Sequence, residues 1–286
     1  SIYSTKKVVS EGVILIYCQY IDSGIIPLAL ALEEMGFSRY GKNASSLFKT
    51  PPSQPVSSKT MQPIEKGEKV HSAKYIMITG DPRLSPDNDY EVKAVTDDNN
   101  KNGDKIKVIL ISRAGSEGID FKFIRQIHIL DPWYNMNRIE QIIGRGVRNG
   151  SHKLLPFEKR NVQLYLYGSL LKNNSNIETA DNYVYRLATF KAIQIGRVTR
   201  LLKQTAVDCL LNHDQTNFTQ EKIEEGTSIK VKQVLSSGEI LKDFKVGDVD
   251  NSSSCDYMKC DFKCMPDKDI ISDEVNEYTY TESFVN

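Results

Sequence analysis

Val13-Ile14-Leu15-Ile16-Tyr17 is an unbroken apolar, largely β-branched run, and similar runs recur at 74–79 (KYIMIT), 107–111 (KVILI), 124–130 (IRQIHIL) and 161–167 (NVQLYLY). A strand with one wet face alternates apolar and polar residues. A run that is apolar at nearly every position has both faces covered, the usual condition of a parallel sheet. Parallel neighbours need crossover connections, and those are mostly helices. Ile25 to Met35 (IIPLALALEEM) supplies one, with Asp22 or Ser23 as its cap and Gly36 as its stop. Another helical pattern lies between the 124–130 run and Gly150. The expected class is therefore α/β, three layers around a mainly parallel sheet.

The rest of the chain reads differently. Residues 38–72 are polar and rich in Pro and Ser (KTPPSQPVSSKTMQP), a composition that buries little apolar area, and are expected to form a surface insertion. From Thr179 to Leu211, apolar residues at Val184, Leu187, Ile195, Val198, Leu201, Leu202 and Leu210 approach helical period, predicting one long amphipathic helix or two. Beyond Asn212 the periodicity fades, and a polar tail with little structure is expected. The divisions are thus 1–171 for the α/β lobe, 172–212 for a helical extension and 213–286 for the tail.

The formal net charge is zero, but residues 243–286 carry eleven acidic against four basic side chains, so the remainder is basic by the same margin. A basic lobe suits a phosphate-rich ligand, and an acidic tail suits a protein partner. Ile25 to Leu32, the longest apolar stretch, is interrupted by Pro27 and falls far short of the roughly 18 residues needed to cross a bilayer. No membrane partner is expected. Five Cys and no signal pattern at the start imply a reducing, intracellular compartment, and the absent initiator Met implies a piece of a longer chain.

In open α/β sheets ligands bind beyond the carboxyl ends of the strands. Three segments follow such ends: Ser112-Arg113-Ala114-Gly115-Ser116-Glu117-Gly118-Ile119-Asp120, then Asp131-Pro132-Trp133-Tyr134-Asn135, then the helical Gln141-Ile142-Ile143-Gly144-Arg145-Gly146-Val147-Arg148. In the last, Ile139, Ile142, Ile143 and Val147 make an apolar face, and spacings of four and three set Gln141, Arg145 and Arg148 in a row opposite it. Gly144 and Gly146 each cost a helix about 1 kcal/mol relative to Ala, a violation that marks close approach of the backbone to something. Two fixed guanidiniums beside a Gln suit a polyphosphate, whose oxygens match the planar fork of Arg. The alternative for this helix alone is a solvated basic face.

The order and spacing of these segments resemble motifs V and VI of superfamily 2 helicases, closest in style to SWI/SNF-type ATPases, and YCQYIDSG after the first strand resembles the motif IV region. LALALEEMGF, GRGVRNGSHKLLPFEKRNVQLYLY and KQTAVDCLLN further resemble the SWI/SNF-like ATPases of large cytoplasmic DNA viruses, among them the small subunit of the poxvirus early transcription factor and the nucleoside triphosphate phosphohydrolases. The resemblance covers roughly Val13 to Leu171. It implies a second RecA-like lobe working with an N-terminal RecA-like lobe on ATP and Mg²⁺. Arg148 would be the arginine finger and Arg145 a second γ-phosphate contact. Gln141, Gly144, Gly118 and Asp120 would form the nucleotide side, with Asp120 near the ribose. Ser112, Arg113 and Gly115 would lie nearer the backbone of a DNA or RNA strand. It further implies a role in viral transcription, with RNA polymerase or transcription factor subunits as partners, in the cytoplasm or a virion. The competing reading is a non-catalytic, helicase-like scaffold of a transcription complex.

Other patterns are weaker. Gly36-Phe37-Ser38-Arg39-Tyr40-Gly41-Lys42-Asn43 spells a phosphate-loop pattern but ends in Asn and follows a helix rather than a strand. No acidic Mg²⁺ motif follows a strand, so the lobe by itself is expected to hydrolyse nothing. Cys255, Cys260 and Cys264, with Cys209 and His213, are too irregularly spaced for a clear zinc site and read as free thiols. Arg186, Lys191, Arg197, Arg200 and Lys203, with no acidic residue among them, read as a solvated basic face or a track for phosphates.

Overall fold

The computed structural model describes residues 9–51, 54–65, 70–113, 118–172, 177–216 and 230–265. They fall into two compact units, Ser1–Lys191 with Lys230–Lys245, and Ala192–Ile229 with Val246–Asn286.

The first unit is built on six parallel strands, β1 (Val13–Tyr17), β2 (Ser38–Arg39), β3 (Lys74–Ile78), β4 (Val108–Ile111), β5 (Ile124–Ile129) and β6 (Gln163–Leu166), in the order β2-β3-β4-β1-β5-β6. The apolar runs at β1, β3, β4 and β5 became strands buried on both faces, as their composition requires, whereas β6 at the sheet's end leaves Leu164 and Leu166 half exposed. One face carries Val13, Leu15, Ile76, Ile109 and Ile127 and packs against residues of α2 (Asn88–Val95) and α3 (Met136–Gly146); the other carries Ile14, Tyr75, Met77 and Leu110 and packs against α1 (Ile26–Glu34). This is a RecA-like α/β lobe. The chain places β1 centrally, runs out to β2, works inward to β4 and then crosses to β5 and β6, so the carboxyl ends of β4, β1 and β5 converge where the winding reverses.

Several expectations need correction. Neither Asp22 nor Ser23 caps α1; the chain enters it through a wide turn, Ile21–Ile25, in which Ile25 N donates to Tyr20 O at 3.0 Å. That turn lies against Cys18, and a Cβ on Gly24 would stand 2.0 Å from its sulfur. The insertion at 38–72 is not merely superficial: it opens with β2, and its Val56 and Met61 are buried with α1 and β3. Burial of its few apolar side chains is helped by Glu33, whose buried carboxylate accepts from Tyr75 Oη, Ser46 Oγ and the Leu47 N–H. The short α2 was not foreseen.

The tail is also folded where it is described. β7 (Lys230–Val234) and β8 (Ile240–Lys245) form an antiparallel hairpin that belongs to the first unit, its turn tied to the sheet: Ser236 Oγ donates to Glu11 O at 2.6 Å and accepts from Gln126 Nε2. Buried Arg125 donates to Val234 O at 2.7 Å and to Asn161. Polar side chains hold this hairpin, which is why hydrophobic periodicity did not reveal it.

The expected long helix is two, α4 (Ala180–Thr205) and α5 (Cys209–Thr216). In the second unit the buried stripe of α4 is Ala192, Gly196 and Arg200, whereas Ile195, Val198, Leu201 and Leu202 are exposed. A Cβ on Gly196 would meet Asp256 O at 2.1 Å, so small residues admit the 246–265 segment closely. Arg200 and Lys203 bind the Asp256 carboxylate at 2.9 and 2.8 Å, and Arg186 pairs with Glu178, so much of the basic face is neutralised. The thiols expected to be free form disulfides, Cys209–Cys264 and Cys255–Cys260.

Candidate nucleotide and nucleic-acid site

α3 runs down the face of β5, with Ile139 and Ile142 buried against the sheet. It ends at Gly146, because the carbonyls of its last turn are taken by tertiary partners: Phe121 N donates to Arg145 O at 3.0 Å, and Ser151 Oγ donates to Gly146 O. Val147 is extended (φ −103, ψ 90) and half exposed, so it does not continue the apolar face, and Arg148 lies beyond the helix. The row Gln141, Arg145, Arg148 is therefore not made by helical spacing alone.

Asp120 brings the arginines together. Its Oδ2 accepts from Arg148 Nη1 at 2.8 Å and its Oδ1 lies 3.8 Å from Arg145 Nη1. Arg148 Nε also donates to Gly144 O at 3.0 Å, and Arg145 Nη1 to Ile119 O at 3.4 Å. Both guanidiniums are thus oriented while remaining partly accessible. One carboxylate against two cations leaves a surplus positive charge, suited to an anion. Gln141 is exposed one turn before Arg145.

The two helical glycines separate. A Cβ on Gly146 would lie 3.0 Å from Ile124, so this glycine serves close packing on β5; around Gly144 nothing among the described residues stands within 4 Å. Gly118 adopts φ +74, and no described residue comes within 4 Å of its Cβ position either. Gly118 and Gly144 thus leave room for a ligand's approach, and Gly146 does not need one.

A second cluster forms where the ends of β1, β4 and β5 converge. Gln19 N donates to Asp131 Oδ2 at 2.6 Å, Arg138 Nη1 reaches Gln19 Oε1 at 3.4 Å, and the Arg138 guanidinium stacks on Trp133 with 4.0 Å to the ring centre. Arg113 lies over the same ring at 5.9 Å. Arg138 lies on the polar face of the helical pattern and Gln19 within the YCQYIDSG segment, but their contact with each other and with Trp133 was not legible in the sequence. Burial, with Asp131 beside it, pushes the Cys18 thiol up to about 12, so it stays protonated and is no nucleophile. Ser112 is buried with its hydroxyl donating to Thr79 O at 2.8 Å, which leaves Arg113 as the accessible member of its group. Gly115 lies outside the described residues.

The phosphate-loop pattern at Gly36–Asn43 is occupied by β2, and Asn43 N donates to Asp87 Oδ2 at 2.8 Å rather than opening a helix. Among the described residues no cluster of three His, Cys, Asp or Glu is arranged to hold a metal ion, and no helix is long and apolar enough to cross a membrane.

Residues 61–150 match the family described as helicase conserved C-terminal domain. The chain is 28% identical over 89% of its length to protein 087L of Invertebrate iridescent virus 3, named as a helicase, covering 21% of that protein. It is 29% identical over 71% of its length to the Termination factor NPH-I homolog of African swine fever virus, covering 31% of it. Over 48% of its length it is 37% identical to protein R350 of Acanthamoeba polyphaga mimivirus, named as an ATP-dependent RNA helicase, covering 18% of that protein. The chain thus spans between 18% and 31% of the length of these relatives. Residues 61–150 are thus similar to helicase conserved C-terminal domains, and the chain as a whole is similar to helicase-named proteins and NPH-I termination factor homologues of large DNA viruses.

Proposed function

We propose that this chain is the second motor lobe of a nucleic-acid-stimulated ATPase, and that Arg148, supported by Arg145, is its arginine finger. The observation that carries the reading is the Arg145–Asp120–Arg148 cluster, two oriented guanidiniums sharing one carboxylate beside the open backbone of Gly118 and Gly144. In this reading ATP lies between this lobe and a first lobe that supplies the phosphate loop. Closure carries Arg148 and Arg145 from Asp120 to the γ-phosphate. There they stabilise the charge that develops as water adds to the γ-phosphorus and its bond to the bridging oxygen of ADP breaks. Asp120 acts as a holder that keeps both side chains aimed while the cleft is open. Mg²⁺ would neutralise phosphate charge from ligands on the first lobe, since none are assembled among the described residues here.

Arg113, with the Trp133–Arg138 stack, supplies the nucleic-acid side, and the shared loop from β4 to β5 links it to Asp120. The similarity to termination factor homologues supports a place in viral transcription; RNA polymerase or transcription factor subunits as partners, and a location inside the infected cell, are part of the same proposal. This chain alone is inactive in this reading. The test is turnover of ATP by the protein containing both lobes and by this chain alone, with and without single-stranded DNA or RNA. Stimulated turnover confined to the two-lobe protein is expected; hydrolysis by this chain alone at the same rate would overturn the assignment.

A further inference from the structure

We propose that the outer edge of β6, with the basic cleft beside it, takes an extended acidic peptide of a partner protein by strand addition. β6 ends the sheet order, so one of its edges faces no strand among the described residues. The β5–β6 register is unbroken from Gln126↔Gln163 to Ile129↔Leu166, and Tyr167 N donates inward to Ile129 O at 3.1 Å. Alternation along the strand then turns the main-chain groups of Gln163 and Tyr165 toward β5 and those of Leu164 and Leu166 outward. No described main-chain group outside the ladder bonds to them. Exposed edges are ordinarily blunted by Lys, Pro or a bulge. Gln163-Leu164-Tyr165-Leu166 has none of these, and Leu164 and Leu166 are each 48% exposed.

Beside this edge is a cleft of about 700 Å³, lined by the apolar Ile143, Val147 and Leu164 and by the cationic Arg148, Lys153 and Arg160. No acidic residue among the described residues lines it. Arg160 spends Nε and Nη2 on the carbonyls of Leu155 and Lys153, both at 2.9 Å, and so keeps its full charge. Apolar and cationic side chains lining one cleft complement a peptide in which aliphatic residues alternate with Asp or Glu. No Phe, Tyr or Trp among the described residues lines the cleft to stack a base, and its one imidazole, His152, is held by Ser151 Oγ and the Ile124 carbonyl, which sets the cleft apart from a single-strand nucleic-acid groove. In strand addition the main chain supplies affinity and the pocket selects side chains. This inference stands apart from the nucleotide assignment, sharing only Arg148 with it.

The experiment is selection of a phage-displayed random dodecapeptide library on the immobilised chain, followed by anisotropy titration of the enriched peptide carrying fluorescein. Enriched sequences should alternate Leu, Ile or Val with Asp or Glu. Lys153→Glu, which replaces a cation facing the acidic peptide with a like charge, should weaken binding roughly tenfold or more. Leu166→Pro, which removes an outward N–H and spares the ladder to β5, should weaken it at least as much. Leu164→Ser gives the same reading without touching the backbone. Amide exchange at Leu164 and Leu166 should slow when the peptide is added. Enrichment of sequences without acidic residues, binding that survives these substitutions, or displacement by oligodeoxythymidine would each overturn the proposal. So would a concentration-dependent dimer abolished by Leu166→Pro, which would make the occupant a second copy.

Discussion

Asp120 holds two arginines from a position more than half exposed to solvent, and such pairs contribute about 1 kcal/mol or less to stability. Arg148→Ala should therefore melt within a few degrees of the parent, and a larger drop in Tm by calorimetry would show a structural role instead. The buried titratable groups behave differently. Glu91 is fully buried, neither of its carboxylate oxygens has a hydrogen-bond partner among the described residues, and burial raises its pKa from 4.5 to about 7, with Arg39 opposing. The folded state thus holds this proton more tightly than the unfolded chain. Its stabilising contribution is complete below the unfolded value of 4.5 and is lost as pH rises through about 7. Glu91→Gln should raise Tm by several degrees at about pH 8 and by much less at about pH 5. Equal shifts at both would contradict the buried, titrating carboxylate. His128 has the opposite sense: burial between Tyr165 and Tyr167 lowers its pKa from 6.5 to about 4, so its contribution disappears as pH falls across that interval.

Among the elements, α3 carries the sharpest contrast, because its two glycines violate helix propensity for different reasons. Gly146→Ala places a methyl 3.0 Å from Ile124 and should destabilise by about 1–3 kcal/mol. Gly144→Ala meets nothing and should stabilise the helix by up to about 1 kcal/mol, yet slow ATP turnover if phosphate passes over that backbone. Thermal melts paired with turnover assays separate the two, and a destabilised Gly144→Ala variant would refute the open-space reading. The sheet was legible because strands buried on both faces must be continuously apolar, and β1 spans Val13–Tyr17 as its composition dictates. The β7–β8 hairpin was not, since Ser236, Gln126, Arg125 and Asn161 dock it through hydrogen bonds that leave no periodic signature. Arg145 and Arg148 were recognisable as a pair from type and spacing. Their convergence on Asp120 was not, because it depends on α3 ending two residues earlier than the row implied. The exposed apolar residues of α4 likewise misled: burial followed the small Ala192 and Gly196, admitting the backbone of Asp256.

At the scale of the chain, the described part of the second unit has a very small apolar cluster, Cys209, Phe262 and Cys264 with Ala206 beside them, together with two disulfides and the buried Arg200–Asp256 pair. Disulfides of small units typically contribute about 2–4 kcal/mol each. Reduction should therefore release amide protection across 250–265 while leaving β1, β4 and β5 protected, as read by hydrogen exchange. Protection unchanged by reductant would show that packing alone holds the unit. The first unit, with its own two-faced core, supplies the rigid frame on which the arginine pair and the Trp133 cluster are displayed. In the proposed mechanism Arg148 acts on the phosphate of a nucleotide held with a second lobe. The direct measurement is single-turnover ATP hydrolysis by the two-lobe protein carrying Arg148→Ala, with nucleotide and nucleic-acid binding measured on the same sample. Hydrolysis slowed on the order of a thousandfold with binding largely retained is expected of an arginine finger; near-parental stimulated hydrolysis would contradict that role.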